Sequence, residues 1–564
     1  MSEGILRRPW DAVVEALRVE GVTHVFGLGG GDFYDALYDV PAITPILVRI
    51  QTAGVFMAMA AARLTNRPGV CFAGSGPGVA NLVPGLLEAN SACRPLIVLA
   101  TASRTTNAGA GAFQEVDQLR MVEAVTKERF RIIRPERTPW VMQRAFALAV
   151  NGRPGPVYVE IPVDVGGTRT RIFPYRSPAH PLRSVPAPAD VEQAAHLVAC
   201  AERPILVVGS GAVSSQAFDE VRTFAEHLAI PVMTTPGGRG ILPEDHPLAL
   251  GQVGLYFTEP GEAAYREADL LIGLGSRNED FQSNRQTIFP TGAKYVQVDI
   301  DPDAIGQNWM PDVALVGDVS LALRAMLAAL PMKPIAHARR KARAGELRKR
   351  VANYRAWVAK DCQVNAVPLR SKRIVRELSE VFGHNTVLVN ENGSQDLWSY
   401  SWPYYQVRDT NGCVPPGEQT CMGAGVTGAI GAKLAAPDRQ VVCITGDGAF
   451  QMFAKELPTA VEHKAAVLWV VLNNQAHGWV RSIQKRTNGR IIATEFAVQP
   501  DFARLAELCG CRGERVEKPA EIRPALERAQ RSLAEGIPVV LDCIVDGEEY
   551  PPGFVNWYRR FERK

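Results

Sequence analysis

The chain has 564 residues, 46% of them hydrophobic, which is too long for one core and fits about three or four domains. Its 62 basic and 59 acidic residues leave a formal net charge of +3, a balance that points away from nucleic acid or a membrane surface as partner. Ten cysteines fall at irregular positions, and the closest pair, Cys509 and Cys511, lacks the spacer and second ligand pair of a structural zinc site, so reduced thiols are expected.

The opening MSEGILRRPW has no apolar signal core, and runs such as AAVLWVVL stop far short of the ~20 residues that span a bilayer. A soluble cytoplasmic protein is expected. In chain order, short Val/Ile/Leu-rich runs then alternate with helix-length amphipathic segments. THVFGLGG, PGVCFAGSG, PLIVLAT and PVYVEIP lie in the first third; RPILVVGSG, IPVMTT, ADLLIGLGS and KYVQVDID in the second; NTVLVNEN, RQVVCITGDG, AAVLWVVLNN and PVVLDCIVD in the third. Strands apolar on both faces and separated by helices predict an α/β fold of doubly wound parallel sheets.

PILVRIQTAGVFMAMAAAR, residues 45–63, reads as a buried strand running into a helix, with the lone amide Gln51 at the junction. Two segments break the rhythm: the Pro- and Arg-rich stretch 165–190 and the basic helical run within 332–362. Both read as connections. The expected blocks are 1–170, 188–332 and 363–546, followed by a tail, 547–564.

The third block carries the most chemistry. Gly446-Asp447-Gly448 ends one strand, and Asn473-Asn474 ends the next after a complete helix. In a doubly wound sheet both lie at the carboxyl edge, where ligands bind. A carboxylate, an amide oxygen and a backbone carbonyl from the following turn, at Ala476, form a hard-oxygen set suited to Mg²⁺. The glycines and the helix start at Ala449 suit a diphosphate.

GDG followed about two dozen residues later by NN resembles the cofactor motif of thiamine diphosphate-dependent enzymes. GEQTCMGAGVTGAIGAKLAAPDRQVV looks like the family segment that wedges an apolar residue between the two cofactor rings, which implies that role for Met422, with Gly423 beside it. VFGLGGGDFYDAL, AGSGPGVANLVPGLLEAN and AFQEVDQLRMVEAVTKERFRI resemble the pyrimidine-binding domain of acetolactate synthase-like members. IPVMTTPGGRGILPEDHPLALG, ADLLIGLGSR and VQVDIDPDAIGQN resemble their central domain. The three blocks are therefore expected to be pyrimidine-binding, central Rossmann-like and diphosphate-binding domains.

The resemblance further implies cofactor contacts from Pro77, Asn81, Gly393, Ser394 and Gln395. It implies a homodimer or tetramer with active sites between subunits, and a small-molecule substrate such as a 2-oxo acid, acyloin, aldehyde or acyl-CoA derivative. Relatives carry FAD, an ADP group or nothing in the central domain; Gly209, Gly211 and Arg277 would serve a nucleotide pocket, and the same pattern serves an empty spacer. The reaction implied is cleavage or formation of a C–C bond beside a carbonyl. A flavin-dependent oxidase of the same architecture and a non-catalytic cofactor-binding relative are the alternatives.

Gln51 departs from the family. It stands where most members carry the glutamate that activates the cofactor, and an amide cannot exchange a proton near neutral pH. Phe113 and Gln114 match a loop on the substrate side, and His477 is a candidate proton carrier. Ile483 occupies the position where acetolactate synthases hold a tryptophan for the second 2-oxo acid, which argues for a different acceptor. Aromatics in DLWSYSWPYYQV and in the tail (Tyr550, Phe554, Trp557, Tyr558) suggest a bulky substrate and a lid.

Overall fold

The computed structural model describes residues 4–178, 181–331, 336–487 and 489–559, with side chains 556–559 outside the described part. It divides into two compact units. The first comprises residues 1–182, 419–437 and 452–465; the second comprises 183–418, 438–451 and 466–564.

The first unit holds a six-stranded parallel sheet in the order Thr44–Leu47, His24–Leu28, Gly69–Ala73, Leu96–Ala102, Pro156–Pro162, Glu128–Arg131. The central strands Gly69–Ala73 and Pro156–Pro162 are buried along their whole length, as a sheet covered on both faces requires. Thr44–Leu47 differs from the buried strand read in the sequence: it is an edge strand with only Ile46 buried, because one neighbour alone pairs with it. Ile5–Arg7 and Thr170–Ile172 form a separate antiparallel pair, which gives the 165–190 connection one ordered anchor.

The helix Gln51–Thr65 buries twelve of its fifteen residues, so its apolar pattern has no solvent face. It ends at Asn66, whose φ of 54° is a left-handed cap. The helix Ala424–Ala435 crosses it at very short range. A Cβ added at Gly431 would lie 2.1 Å from the Met57 carbonyl oxygen, so the two backbones touch where the side chain is missing.

The second unit contains two more six-stranded parallel sheets. One runs Ala249–Gln252, Val232–Thr234, Pro204–Val208, Leu270–Leu274, Lys294–Asp299, Val313–Val316; the other runs Cys413–Val414, Thr386–Asn390, Gln440–Gly446, Val467–Asn473, Val539–Ile544, Arg512–Val516. A fully buried ion pair ties loops from the two together. Arg239 donates to Glu244 at 2.7 and 3.0 Å and to the Ser399 carbonyl at 2.6 Å, and Glu244 also accepts the Val407 N–H at 2.7 Å.

The basic run of the sequence is the helix His337–Asp361. The aromatics Trp398, Tyr400, Trp402, Tyr404 and Tyr405 are each at most 3% exposed. They are core, which removes the sequence-based ground for a bulky substrate. Phe554, in the helix Pro552–Arg559, is also buried, against Leu255, Leu397 and Tyr400, so one aromatic residue anchors the tail. Among the described residues no helix is long and apolar enough to cross a membrane.

The helix crossing is testable. Gly431→Ala is expected to cost about 1–3 kcal/mol or more, because rigid backbone rather than a movable side chain blocks the new methyl. Thermal unfolding at matched protein concentration checks this, and an unchanged Tm would contradict the close approach.

Candidate active site

In the first unit a cavity of about 660 Å³ opens at the carboxyl edge of the sheet, with Leu28, Arg49, Gln51, Ser75, Asn81 and Gln114 in its lining. Pro77 also lines it, so four of the sequence candidates meet there. Gln51 starts its helix and is 7% exposed; its Oε1 accepts an N–H from Asn81 at 3.1 Å. Thr52 donates its hydroxyl to the Asn81 carbonyl. Gln114 accepts from the Ser75 hydroxyl at 3.1 Å, whereas its neighbour Phe113 points into solvent at 86% exposure. Among the described lining residues none carries a carboxylate or imidazole. The cavity therefore offers mostly N–H and O–H donors and cannot trade a proton through a carboxyl group.

A carboxylate lies under this cavity instead. Glu456 is 1% exposed, and its Oε1 accepts the N–H groups of Arg49 and Ile50 at 2.8 and 3.1 Å, the two peptides that lead into Gln51. Thr459 donates to its other oxygen at 2.8 Å. Burial holds its pKa above the ordinary value. The Arg49 guanidinium continues to Thr459 at 2.7 Å and Glu462 at 2.5 Å. No sequence pattern marks Glu456, which lies 406 residues from Ile50.

Met422 and Gly423 lie on the turn before Ala424–Ala435. The buried carboxylate of Glu88 accepts the Cys421 N–H at 2.6 Å and so clasps that turn. Glu88, in the helix Val83–Ser91, is thus a structural clasp.

In the second unit, Gly446 pairs with Leu472 and Asn473 with Ile544. Asp447 and Asn474 therefore leave adjacent strands side by side, as the spacing predicts. One end of the Asn474 amide lies 3.1 Å from Asp447 Oδ1 and 3.0 Å from the Ala476 carbonyl oxygen. With nitrogen at that end, the amide donates to both. With oxygen there, three acceptors converge, and the 3.1 and 3.0 Å distances from Asn474 lie close to the ~2.8–3.0 Å that separates adjacent vertices of an octahedron with 2.0–2.1 Å bonds, so the donor set is compatible with Mg²⁺. Burial pushes Asp447 up to about 7, against backbone N–H groups of Gly448, Ala476 and Gln475 that pull it down.

Further buried polar groups gather nearby. Ser394 Oγ has no hydrogen-bond partner among the described residues, and neither carboxylate oxygen of Asp396 has one by ordinary geometry. A Cβ at Gly478 would lie 2.3 Å from Ser394 Oγ and 2.6 Å from Asn474 Nδ2, so the missing side chain lets these two groups converge. A Cβ at Gly393 would meet Asp396 at 3.1 Å. Gln395 is already engaged, accepting from Ser371 at 2.7 Å and donating to the Glu549 carbonyl at 3.2 Å. Ala449 is buried in the helix that Asp447 begins. The His477 N–H donates to the Thr494 carbonyl at 2.8 Å, and its ring packs edge-on against Phe496. A cavity of about 570 Å³ beside them is lined by Asn474, Ala476, Arg481, Phe496 and Glu548.

The central sheet is less hospitable to a nucleotide. The Gly209 N–H donates to Leu274 O at 2.9 Å and the Gly211 N–H to Gly275 O at 3.0 Å. Those two turn amides are therefore occupied within the protein. Arg277 is paired with Glu279 at 2.5 Å.

The sequence reading missed Glu418, which accepts the Phe281 N–H at 2.9 Å. Burial, with Glu279 adding repulsion, pushes it up to about 7. A carboxyl raised from 4.5 contributes stability that is fully present below pH ~4.5 and is lost as pH rises through about 7. Glu418→Gln keeps the acceptor and removes the charge. Its stability relative to the parent is expected to improve by about 1–3 kcal/mol between pH 5 and 8, measured by denaturant titration at both pH values. A pH-independent difference would contradict the assignment.

Comparison with known proteins gives a consistent result. Residues 9–121 match the model of the thiamine pyrophosphate enzyme N-terminal TPP binding domain, residues 191–326 its central domain, and residues 393–543 its C-terminal TPP binding domain. The chain is 35% identical to a probable acetolactate synthase large subunit of Methanocaldococcus jannaschii, over 96% of this chain and 93% of that protein. It is 31% identical to the acetolactate synthase isozyme 3 large subunit of Escherichia coli, over 96% and 95%. It is 33% identical to an acetolactate synthase of Mycobacterium bovis, over 96% and 88%. With all three domains matched in order and such relatives covering nearly its whole length, the chain belongs to the thiamine pyrophosphate enzymes.

Proposed function

We propose that this enzyme uses thiamine diphosphate with Mg²⁺ to make or break a C–C bond next to a carbonyl, on a 2-oxo acid, acyloin, aldehyde or acyl-CoA derivative. The observation that carries the reading is the meeting of the Asn474 amide, Asp447 Oδ1 and the Ala476 carbonyl at 3.0–3.1 Å. Those three groups would hold the cation. Gly446, Gly448 and Ala449, with the unpartnered Ser394 hydroxyl, would receive the diphosphate. Gly393 and Gln395 would shape that pocket from behind, and Met422 with Gly423 would support the rings.

When bound, thiamine diphosphate supplies a carbon nucleophile that adds to a carbonyl and an electron sink for the carbanion that follows. The chain positions and desolvates. Gln51, held by Asn81, would hydrogen-bond a pyrimidine ring against Pro77 and Asn81 without changing charge. Gln114 would donate to a substrate carbonyl or carboxylate, with Phe113 beside it. His477 is the titratable side chain we assign to proton handling. The relatives' printed activity supports the carboligase form, and Ile483 supports an acceptor other than the second 2-oxo acid of acetolactate synthesis. A homodimer or tetramer with sites between subunits belongs to the same proposal, since an exposed Phe113 is a side chain that a partner would cover. The occupied Gly209 and Gly211 amides weigh against the flavin-dependent alternative.

Incubating cofactor-loaded protein with 2-oxo acids, aldehydes, acyloins and acyl-CoA compounds, with products followed by mass spectrometry, is expected to show decarboxylation, cleavage or ligation in one class. Cofactor binding with no turnover of any class would leave a binding protein instead. Gln51→Glu is expected to speed C2 proton exchange of the bound thiamine by on the order of 10²-fold or more, read by deuterium incorporation in NMR. Unchanged exchange with intact binding would place the activating group elsewhere.

A further inference from the structure

The two oxygens of the Asp447 carboxylate have different surroundings. Oδ1 faces the Asn474 amide at 3.1 Å. Oδ2 accepts an N–H from Gln499 at 2.7 Å, and the same nitrogen lies 3.4 Å from Asn473 Oδ1. Both neighbours of that nitrogen are acceptors, which fixes the orientation of the Gln499 amide. Gln499 Oε1 is buried and has no hydrogen-bond partner among the described residues, so the side chain is held here through its nitrogen.

The segment bearing Gln499 is anchored next to the helix that Asp447 begins. Asp501 caps the following helix, Phe502–Leu508, by accepting the Arg504 N–H, and Phe502 packs edge-on against Phe450 at 5.3 Å. Phe450 lies one helical turn after Asp447. The Gln499 donor therefore sits on a short, braced connection.

We infer that Gln499 is a positioning residue that restricts Asp447 to one-oxygen coordination and so sets the cation preference of this site. The inference rests on the divalent-cation reading above. Mg²⁺ demands a near-ideal octahedron at 2.0–2.1 Å, and its small shell accepts one oxygen from this carboxylate. Ca²⁺ takes six to eight oxygens at 2.3–2.6 Å and gains from carboxylates that bind through both. With Oδ2 engaged by Gln499, two-oxygen binding requires breaking a charge-assisted hydrogen bond. The arrangement favours the smaller ion.

The test is titration of the full chain with Mg²⁺ and, separately, Ca²⁺ in the presence of thiamine diphosphate, by isothermal titration calorimetry. Parent, Gln499→Met and Gln499→Ala are compared, with folding checked by circular dichroism. The parent is expected to prefer Mg²⁺. Each folded variant is expected to bind Mg²⁺ on the order of 10-fold more weakly, as when a partner behind a metal ligand is lost, while Ca²⁺ binding is kept or improved, so the Mg²⁺-to-Ca²⁺ preference falls. A preference unchanged in the folded variants overturns the inference even if both affinities drop, because general loosening weakens both together. If Gln499→Met does not fold, the Gln499→Ala ratio decides. A parent that binds neither cation with the cofactor overturns the divalent-cation reading, and the inference with it.

Discussion

Buried oxygen atoms facing one another without hydrogen between them are costly, and the carboxyl edge of the third sheet concentrates this problem at Asp447. The carboxylate is 1% exposed and burial pushes it up to about 7. Asn474 can relieve the strain by presenting its nitrogen to Asp447 and Ala476. The cation proposed above would relieve it further, because it would replace a weak donor with a full charge and offset the desolvation of the carboxylate. The rest of the site follows from that demand: Gly478 allows Ser394 and Asn474 to approach, and Gln499 occupies the second oxygen.

The cavity at Gln51 solves a different problem. Among its described lining residues there is no acid, and the buried carboxylate nearest its strand-to-helix junction, Glu456, accepts backbone N–H groups from below. A carboxylate in that place orders the start of the helix through two peptide donors at its positive end. The N-terminal turn of Gln51–Thr65 is thereby held by a carboxylate that lies outside the described lining of the cavity. An amide fixed on such a turn can hydrogen-bond without changing charge.

The two units reach rigidity by different means. In the first, small residues let the helices Gln51–Thr65 and Ala424–Ala435 meet backbone to backbone, and dispersion over a long contact replaces large side chains. In the second, the Arg239–Glu244 pair satisfies carbonyls and an N–H from two loops at once. The attraction in a buried pair of this kind is largely spent on desolvating both ions, and removing one partner would leave the other charge buried and unpaired.

Much of this was legible in the sequence. Strands apolar on both faces and spaced by helices announced the parallel sheets, and GDG with NN at consecutive strand ends brought Asp447 and Asn474 together, because strand register is local and periodic. The amide at the strand-to-helix junction was also visible, and the structure puts Gln51 at the start of the helix Gln51–Thr65. Edge strands such as Thr44–Leu47 were misjudged, since exposure there depends on having one neighbour rather than two. Glu456, Glu418 and Gln499 carried no signal, and the aromatics around Trp402 were mistaken for a ligand surface. By itself the sequence determined the family and the sheets, and it put Asp447 and Asn474 at adjacent strand ends. Only the tertiary structure decided which carboxylates brace the site, which oxygen of Asp447 Gln499 engages and which aromatics are core. Hydrophobic period encodes burial along an element, whereas a hydrogen bond between loops hundreds of residues apart depends on how the chain returns.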